Sequence, residues 1–254
     1  MTEKEKLTAL YAQNSKHSNY QILSDRLSSI INREDINVRT RYEKERLNYI
    51  KNYVPVKGKN VVDIGGNSGF FSFELIDNGA NKVIYYEGNK AHADFVKHAS
   101  KVLKVEDKIE IHNRYFSFDN ELEDGKVDII LLLNVLHHVG DDYGDSLLSM
   151  QKAKEEIIKQ LNSLAGKTDI IVFQLGFNWK GNPKDCLFEH GTKAELIDFV
   201  TNGIRTCWNI QSIGIAEKNN LIVEYKPLNE QNIQRQDAMG EFLNRPLFIL
   251  KSKK

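Results

Sequence analysis

Between Val61 and Ser72 the chain reads Val61-Val62-Asp63-Ile64-Gly65-Gly66-Asn67-Ser68-Gly69-Phe70-Phe71-Ser72. This is the pattern of a buried strand, a tight glycine-rich turn and the start of a helix. Such a turn lets a ligand sit against bare backbone at the carboxyl end of a parallel strand. Gly65, Gly66 and Gly69 remove side chains where that ligand would approach. Asn67 is one of the few non-glycine residues that tolerate a left-handed backbone. An acid, Asp63, closes the strand before the turn. A dinucleotide turn of the G-x-G-x-x-G kind places its glycines differently and does not begin with an acid, so a nicotinamide cofactor is not the expected ligand.

Strand and helix patterns alternate around this turn. Asn60–Ile64 reads as the first strand and Phe70–Asn78 as the first helix after it. Lys82–Glu87 and Lys108–Asn113 read as strands, with a helix at Lys90–Val102 between them. Val127–Leu133 is a continuous apolar run, as expected of a central strand covered on both faces. A helix at Leu147–Leu164 and a buried strand at Asp169–Leu175 follow. A helix at Thr192–Thr201 and strands at Trp208–Ala216 and Pro246–Lys251 complete the order, and Leu221–Tyr225 extends the sixth strand into a hairpin. The alternation predicts an α/β protein with a mostly parallel sheet and helices on both faces. Residues 1 to about 50 read as helical from apolar spacing at Leu7, Leu10 and Tyr11 and at Ile22, Leu23, Leu27, Ile30 and Ile31. Another amphipathic helix spans Arg41 to Tyr53, and Pro55 and Gly58 punctuate the entry to the first strand.

The 254 residues suffice for one α/β domain with an appended helical segment. The charges balance, 35 basic against 35 acidic, which argues against a broad basic nucleic-acid-binding surface. No apolar run is long enough for a transmembrane helix, and Met1–Lys6 has no signal-peptide core. Cys186 and Cys207 fit no metal-ligand spacing and read as thiols of a reducing cytosol.

The turn resembles motif I of the class I S-adenosylmethionine-dependent methyltransferases, an acid, any residue, Gly, any, Gly, any, Gly, with Asn67 in place of the middle glycine. The resemblance implies a Rossmann-like fold with a seven-stranded sheet, an N-terminal helical cap over residues 1–54 and a catalytic domain over 55–254. It also implies that Asp63, Gly65, Gly66, Asn67, Ser68, Gly69 and Phe70 cradle S-adenosylmethionine. Glu87 closes an apolar strand roughly twenty residues past the turn, where an acid accepts hydrogen bonds from both ribose hydroxyls. Asn113, at the end of the third strand, is implied to read the adenine amino group. The segment Leu132-Leu133-Asn134-Val135-Leu136-His137-His138 resembles motif IV and its continuation in small-molecule methyltransferases. There Asn134 would lie beside the methionine portion, with His137 and His138 at the acceptor edge.

Methyl transfer to a hydroxyl profits from a general base, and histidine suits neutral pH. His138 is the favoured base and His137 the second choice, against structural roles for either. His17, with Tyr20, lies in a polar N-terminal stretch of the kind that some relatives fold across the cofactor, although a solvated helix turn is the more common explanation of such a stretch. Asp141 and Asp142 could attract a hard cation, but an acidic pair between Gly140 and Gly144 reads as a solvated turn, so no metal is assigned. After the fifth strand, Phe177-Asn178-Trp179-Lys180 interleaves aromatic, amide and cationic side chains that suit a sugar ring or a nucleotide carrier. Asn178, Trp179 and Lys180 are therefore candidate substrate residues. Arg235 and Arg245 are weaker anion-binding candidates.

The double histidine, the N-terminal helices and the aromatic loop resemble cytoplasmic bacterial methyltransferases that decorate capsule or lipopolysaccharide sugars. A small-molecule sugar or nucleotide-sugar acceptor is expected, and a homodimer fits the exposed aromatics. The alternatives are methyl transfer to tRNA or to another small metabolite, and a non-catalytic protein that keeps the cofactor fold.

Overall fold

The computed structural model describes residues 2–13, 17–18, 20–31, 36, 38, 40–119, 122 and 125–254. Part of the polar stretch expected around His17, namely Asn14, Ser15, Lys16 and Asn19, lies outside the described residues. The chain divides into two compact units, Met1–Leu47 with Pro55–Phe116, and Asn48–Val54 with Ser117–Lys254.

The first unit begins with α1, Glu3–Tyr11, which opens on a capping box between Thr2 and Glu5. A single helical turn follows, α2, Asp25–Ser28. α3, Glu43–Tyr53, starts in this unit and ends in the other. Then come β1, Asn60–Ile64, α4, Phe70–Asp77, β2, Lys82–Tyr86, α5, Lys90–Leu103, and β3, Ile109–His112. The three strands lie in the order β3-β2-β1 with parallel pairing. Parallel strands are covered on both faces, which is why Val61, Val62, Val83 and Tyr85 are all buried. α4 is buried from Phe70 to Ile76. α5 buries an amphipathic stripe of His92, Ala93, Val96, Ala99, Ser100 and Leu103.

The extended N-terminal helices expected from spacing are shorter than predicted. Leu23, Leu27 and Ile31 are buried as their spacing requires, but only Asp25–Ser28 is helical there. Tertiary hydrogen bonds take over around it: Asp25 N donates to Glu74 Oε1 at 2.7 Å and Arg26 Nη1 to Asp77 Oδ1 at 2.8 Å.

The second unit contains β4, Val127–Leu133, α6, Met150–Ser163, β5, Thr168–Gln174, and α7, Lys193–Ile204. These are followed by β6, Trp208–Asn219, β7, Ile222–Pro227, α8, Gly240–Leu243, and β8, Leu247–Ser252. Thr192 caps α7 in a second capping box with Glu195. The strand order is β4-β5-β8-β6-β7. The β4–β5 pair is parallel, whereas β5–β8, β8–β6 and β6–β7 are antiparallel. Gly214 of β6 lets the α3 residue Tyr49 close in, because a Cβ there would lie 2.6 Å from the Tyr49 ring.

Among the described residues the strands therefore number eight and their pairing is mixed, not the mostly parallel seven expected. Two local causes account for the difference. Asn220, at φ 55, turns the chain between β6 and β7, so the hairpin expected at Leu221–Tyr225 forms and its second arm is the strand beyond the seven. β8 inserts between β5 and β6 and runs against both. Among the described residues, no helix is long and apolar enough to cross a membrane.

Candidate active site

In the first unit the glycine turn joins β1 to α4. Gly65, Asn67 and Gly69 all have positive φ, at 70, 51 and 80°. Glycine takes this region without a steric penalty and asparagine tolerates it. Gly66 is needed for a different reason. A Cβ there would lie 2.5 Å from Tyr85 Cε2 and 2.9 Å from Asp63 Oδ2. Tyr85 fills that space and donates its hydroxyl to the carbonyl of Asn67. Gly65 N and Gly66 N donate to Tyr86 O at 2.8 and 3.2 Å, which anchors the turn to the end of β2.

Glu87 follows β2 and grips the same turn. Its Oε2 accepts from Asn67 N at 2.9 Å, and its Oε1 from Asn89 N, at the N-cap of α5, at 2.8 Å. Burial pushes the Glu87 carboxyl up, and the two N–H donations oppose that rise. Asp63 is buried, accepts from Ser72 Oγ at 2.7 Å, and is pushed by burial up to about 6. Asn113 is exposed and donates Nδ2 to Glu87 O at 2.9 Å.

Three residues that sequence reasoning did not single out complete this half. Gln21 Oε1 accepts from Phe70 N at 2.9 Å and Ser68 Oγ at 3.1 Å, so one side chain holds the end of the turn and the start of α4. Tyr85 is the second. The third, His92, is buried with Nδ1 4.0 Å from Glu87 Oε2, and burial lowers its pKa to about 4. None has a sequence signal of its own, since each is recruited by tertiary packing. The expected His17 segment is brought onto the turn as well, because Asn67 Nδ2 donates to His17 O at 3.1 Å. The His17 and Tyr20 rings lie 6.2 Å apart, and the Arg41 guanidinium sits 4.7 Å from the Tyr20 ring centre.

The donors and acceptors suit a nucleoside cofactor. A carboxylate offers about four acceptor positions, and Glu87 accepts two backbone N–H groups, one on each oxygen. Asn113 has its amide nitrogen engaged with Glu87 O, which leaves the oxygen as the group to meet an amino donor.

In the second unit, Asn134 follows β4 at φ 61. Its N donates to Gln174 O at 2.8 Å and its Nδ2 to Gln174 Oε1 at 3.0 Å. A 3₁₀ turn, Leu136–His138, comes next. His137 is buried, and its Nδ1 accepts from Gly176 N at 3.4 Å. A Cβ on Gly176 would lie 2.9 Å from the His137 ring, so the ring packs directly on backbone. His138 is more open, and its Nδ1 lies 3.4 Å from Asp142 Oδ2 and 3.8 Å from Asp141 Oδ2. The acidic pair that read as a solvated turn is thus the histidine's carboxylate neighbour.

The expected acceptor loop belongs to the same unit and meets this turn. Trp179 is buried and donates Nε1 to Val139 O at 2.7 Å. Lys180 has a left-handed backbone at φ 56 and holds Nζ 4.3 Å from the Trp179 ring centre. A Cβ on Gly181 would lie 3.3 Å from His138 Cε1, and one on Gly140 3.4 Å from Lys180 Cε. Asn178 N-caps the 3₁₀ turn Trp179–Gly181 without a side-chain cap bond. Of the two weaker anion-binding candidates, Arg245 is paired with Glu241 and Arg235 donates to Asp237 Oδ1 at 2.7 Å.

No family model matches the chain, and no curated protein matches it. Solved structures do. A crystal structure of WbdD at 2.2 Å has 16% identity and a TM-score of 0.57, with 96% of this chain and 46% of that chain covered. A second, described as the bifunctional kinase-methyltransferase WbdD, gives the same values. Magnesium protoporphyrin IX methyltransferase from Synechocystis PCC 6803, solved with bound SAM, has 15% identity, a TM-score of 0.48 and coverage of 82% and 76%. The chain spans about half the length of the WbdD structures, and the likeness is one of fold. In fold the chain resembles the class I S-adenosylmethionine-dependent methyltransferases, with WbdD among the structures it is similar to.

Proposed function

We propose that the chain is an S-adenosylmethionine-dependent O-methyltransferase that acts on a hydroxyl of a sugar or sugar nucleotide in capsule or lipopolysaccharide biosynthesis. One observation carries the cofactor half of the proposal. The left-handed Gly65-Asn67-Gly69 turn is tied through Asn67 N to the carboxylate of Glu87. A turn and an acid joined in this way present bare backbone and hydroxyl acceptors together, which is what a ribose next to a small polar tail requires.

Bound S-adenosylmethionine would supply an electrophilic methyl group on sulfur. The turn residues Asp63 to Phe70 would hold it, with Glu87 on the ribose hydroxyls, Asn113 on the adenine amino group and Asn134 beside the amino-acid end. His138 would take the proton of the acceptor hydroxyl. Asp142, 3.4 Å from Nδ1, would favour the imidazolium that forms. His137 buttresses that turn from its place on Gly176. Lys180 would offer a cation to a sugar's phosphate carrier and Asn178 a polar group beside it, with the buried Trp179 as the apolar base on which Lys180 rests. Residues 1–54 would serve as a helical cap, and His17 and Tyr20 as the part of it that meets substrate.

Titration calorimetry with S-adenosylmethionine and S-adenosylhomocysteine tests the proposal. Micromolar binding of both supports it and justifies screening free and nucleotide-linked sugars for methyl transfer. Absence of binding overturns it. Strongly salt-dependent binding of tRNA would favour a nucleic-acid acceptor in place of the sugar.

A further inference from the structure

Asn134, Gln174, Glu241 and Arg245 of the second unit form one closed hydrogen-bonded circuit. Its focus is Asn134, the left-handed residue at the end of β4. Glycine would adopt that backbone without side-chain support. The chain instead uses asparagine and engages both ends of its amide. Nδ2 donates to Gln174 Oε1 at 3.0 Å, and Oδ1 accepts from Arg245 Nη1 at 2.8 Å.

Arg245 is itself fixed. Its Nε donates to Glu241 Oε1 at 2.9 Å and to Oε2 at 3.1 Å, and Nη2 donates to Oε2 as well. Its side chain is 12% exposed, so the charge needs a partner at close range, and Glu241 provides it. The guanidinium carbon lies 5.1 Å from the Phe242 ring centre. Two main-chain contacts close the circuit: Gln174 Nε2 donates to Arg245 O at 3.0 Å, and Phe177 N donates to Glu241 Oε1 at 3.0 Å. The pair thus ties the ends of β4 and β5 to the start of the loop that carries Asn178, Trp179 and Lys180. A planar fork grips Glu241 through Nε and Nη2 while Nη1 reaches Asn134, a bidentate geometry that the single nitrogen of a lysine does not reproduce.

We propose that Arg245, braced by Glu241, is a positioning residue that sets Asn134 to receive the amino-acid end of an S-adenosyl cofactor. The proposal rests on the methyltransferase function argued above. Its effect is confined to one end of the ligand. Glu87 and Asn113, assigned to ribose and adenine, belong to the other unit and share no residue with the circuit.

The test compares two probes on the full chain by calorimetry. S-adenosylhomocysteine carries the amino-acid end, and 5′-methylthioadenosine lacks it. Arg245→Met should weaken S-adenosylhomocysteine roughly tenfold or more while leaving methylthioadenosine within about twofold of wild type. Arg245→Lys, which keeps the charge but loses the fork, should fall between. Glu241→Gln, which retains an acceptor for Phe177 N, should be milder than Glu241→Ala. General loosening of the fold would weaken both probes alike, and that result, or no change for either, overturns the proposal. A wild-type protein that binds neither probe overturns the methyltransferase function and this proposal together. If Arg245→Met does not fold, Arg245→Lys carries the same comparison.

Discussion

The backbone N–H of Asn67 donates to Glu87 Oε2 at 2.9 Å, so the apex of the glycine turn is held by the acid that follows the neighbouring strand. Glu87 therefore shapes the turn, and under the proposed function it also accepts from the ligand. Glu87→Ala removes both and should weaken S-adenosylhomocysteine by about 1–3 kcal/mol, roughly five- to 150-fold. Glu87→Gln keeps one amide oxygen that can still take Asn67 N, and its loss should be smaller. Calorimetry on the two variants checks the order; equal affinities for wild type and Glu87→Ala would remove Glu87 from the site.

Gly66 makes a separate prediction, because its φ is not left-handed and only space forbids a side chain. The obstacle is the ring of Tyr85, 2.5 Å from the position of a Cβ, with Asp63 Oδ2 behind it at 2.9 Å. Gly66→Ala should destabilise the protein by about 1–3 kcal/mol, as overpacking of a filled site does. Tyr85→Leu in the same chain should recover part of that loss. Urea unfolding of the single and double variants measures it, and strictly additive effects would show that the two residues do not collide.

The turn itself was legible in the sequence because each of its positions obeys a backbone rule. Gly65 and Gly69 take positive φ, Asn67 is the tolerated substitute, and the acids Asp63 and Glu87 bracket the strands. The apolar runs of β1, β4 and β5 were equally plain, since strands covered on both faces need no alternation. What escaped was set by tertiary pairing. Gln21 reaches Phe70 N across 49 residues, and Arg245 reaches Asn134 across 111. No local pattern announces such bonds. The sheet differs from expectation for a related reason: the antiparallel direction of β8 is fixed by its partners β5 and β6, not by its own composition. Asp142 was visible beside the histidines, but its closeness to Nδ1 depends on how the 3₁₀ turn at Leu136–His138 curls.

Asp63 predicts a pH dependence of stability. Burial raises its folded pKa from 3.8 to about 6. Between those values the folded chain holds a proton that the unfolded chain has released. This contribution to stability is complete below about pH 4 and is lost as pH rises through 6. An asparagine side chain at this position would have nearly the same shape, could accept from Ser72 Oγ and would not ionise. Relative to wild type, Asp63→Asn should therefore gain on the order of 2–3 kcal/mol between pH 4 and pH 7.5. His92 acts with the opposite sign: its folded pKa of about 4 lies below the ordinary 6.5, so its contribution is lost as pH falls. The comparison must accordingly be made between wild type and variant, where the His92 contribution cancels. Parallel urea midpoints for the two proteins across that range would rule out a buried, perturbed Asp63.

The two adjacent histidines should separate by function because their surroundings differ. His137 is buried against Gly176, whose N–H its Nδ1 accepts. His138, 14% exposed, has the carboxylates of Asp142 and Asp141 near Nδ1. With the acceptor identified by the sugar screen, His138→Ala should lower kcat by about 10²–10⁴ while S-adenosylhomocysteine affinity stays near wild type. Asp142→Asn should lower kcat less, since it removes the charge beside the base and leaves the base in place. His137→Phe should act mainly on stability, through the lost Gly176 bond and the crowding of the ring against backbone, by about 1–3 kcal/mol. Steady-state kinetics and thermal unfolding on the three variants test the division. Wild-type turnover in His138→Ala would transfer the role of base to another group, and a kcat loss confined to His137→Phe, with no loss of stability, would transfer it to His137.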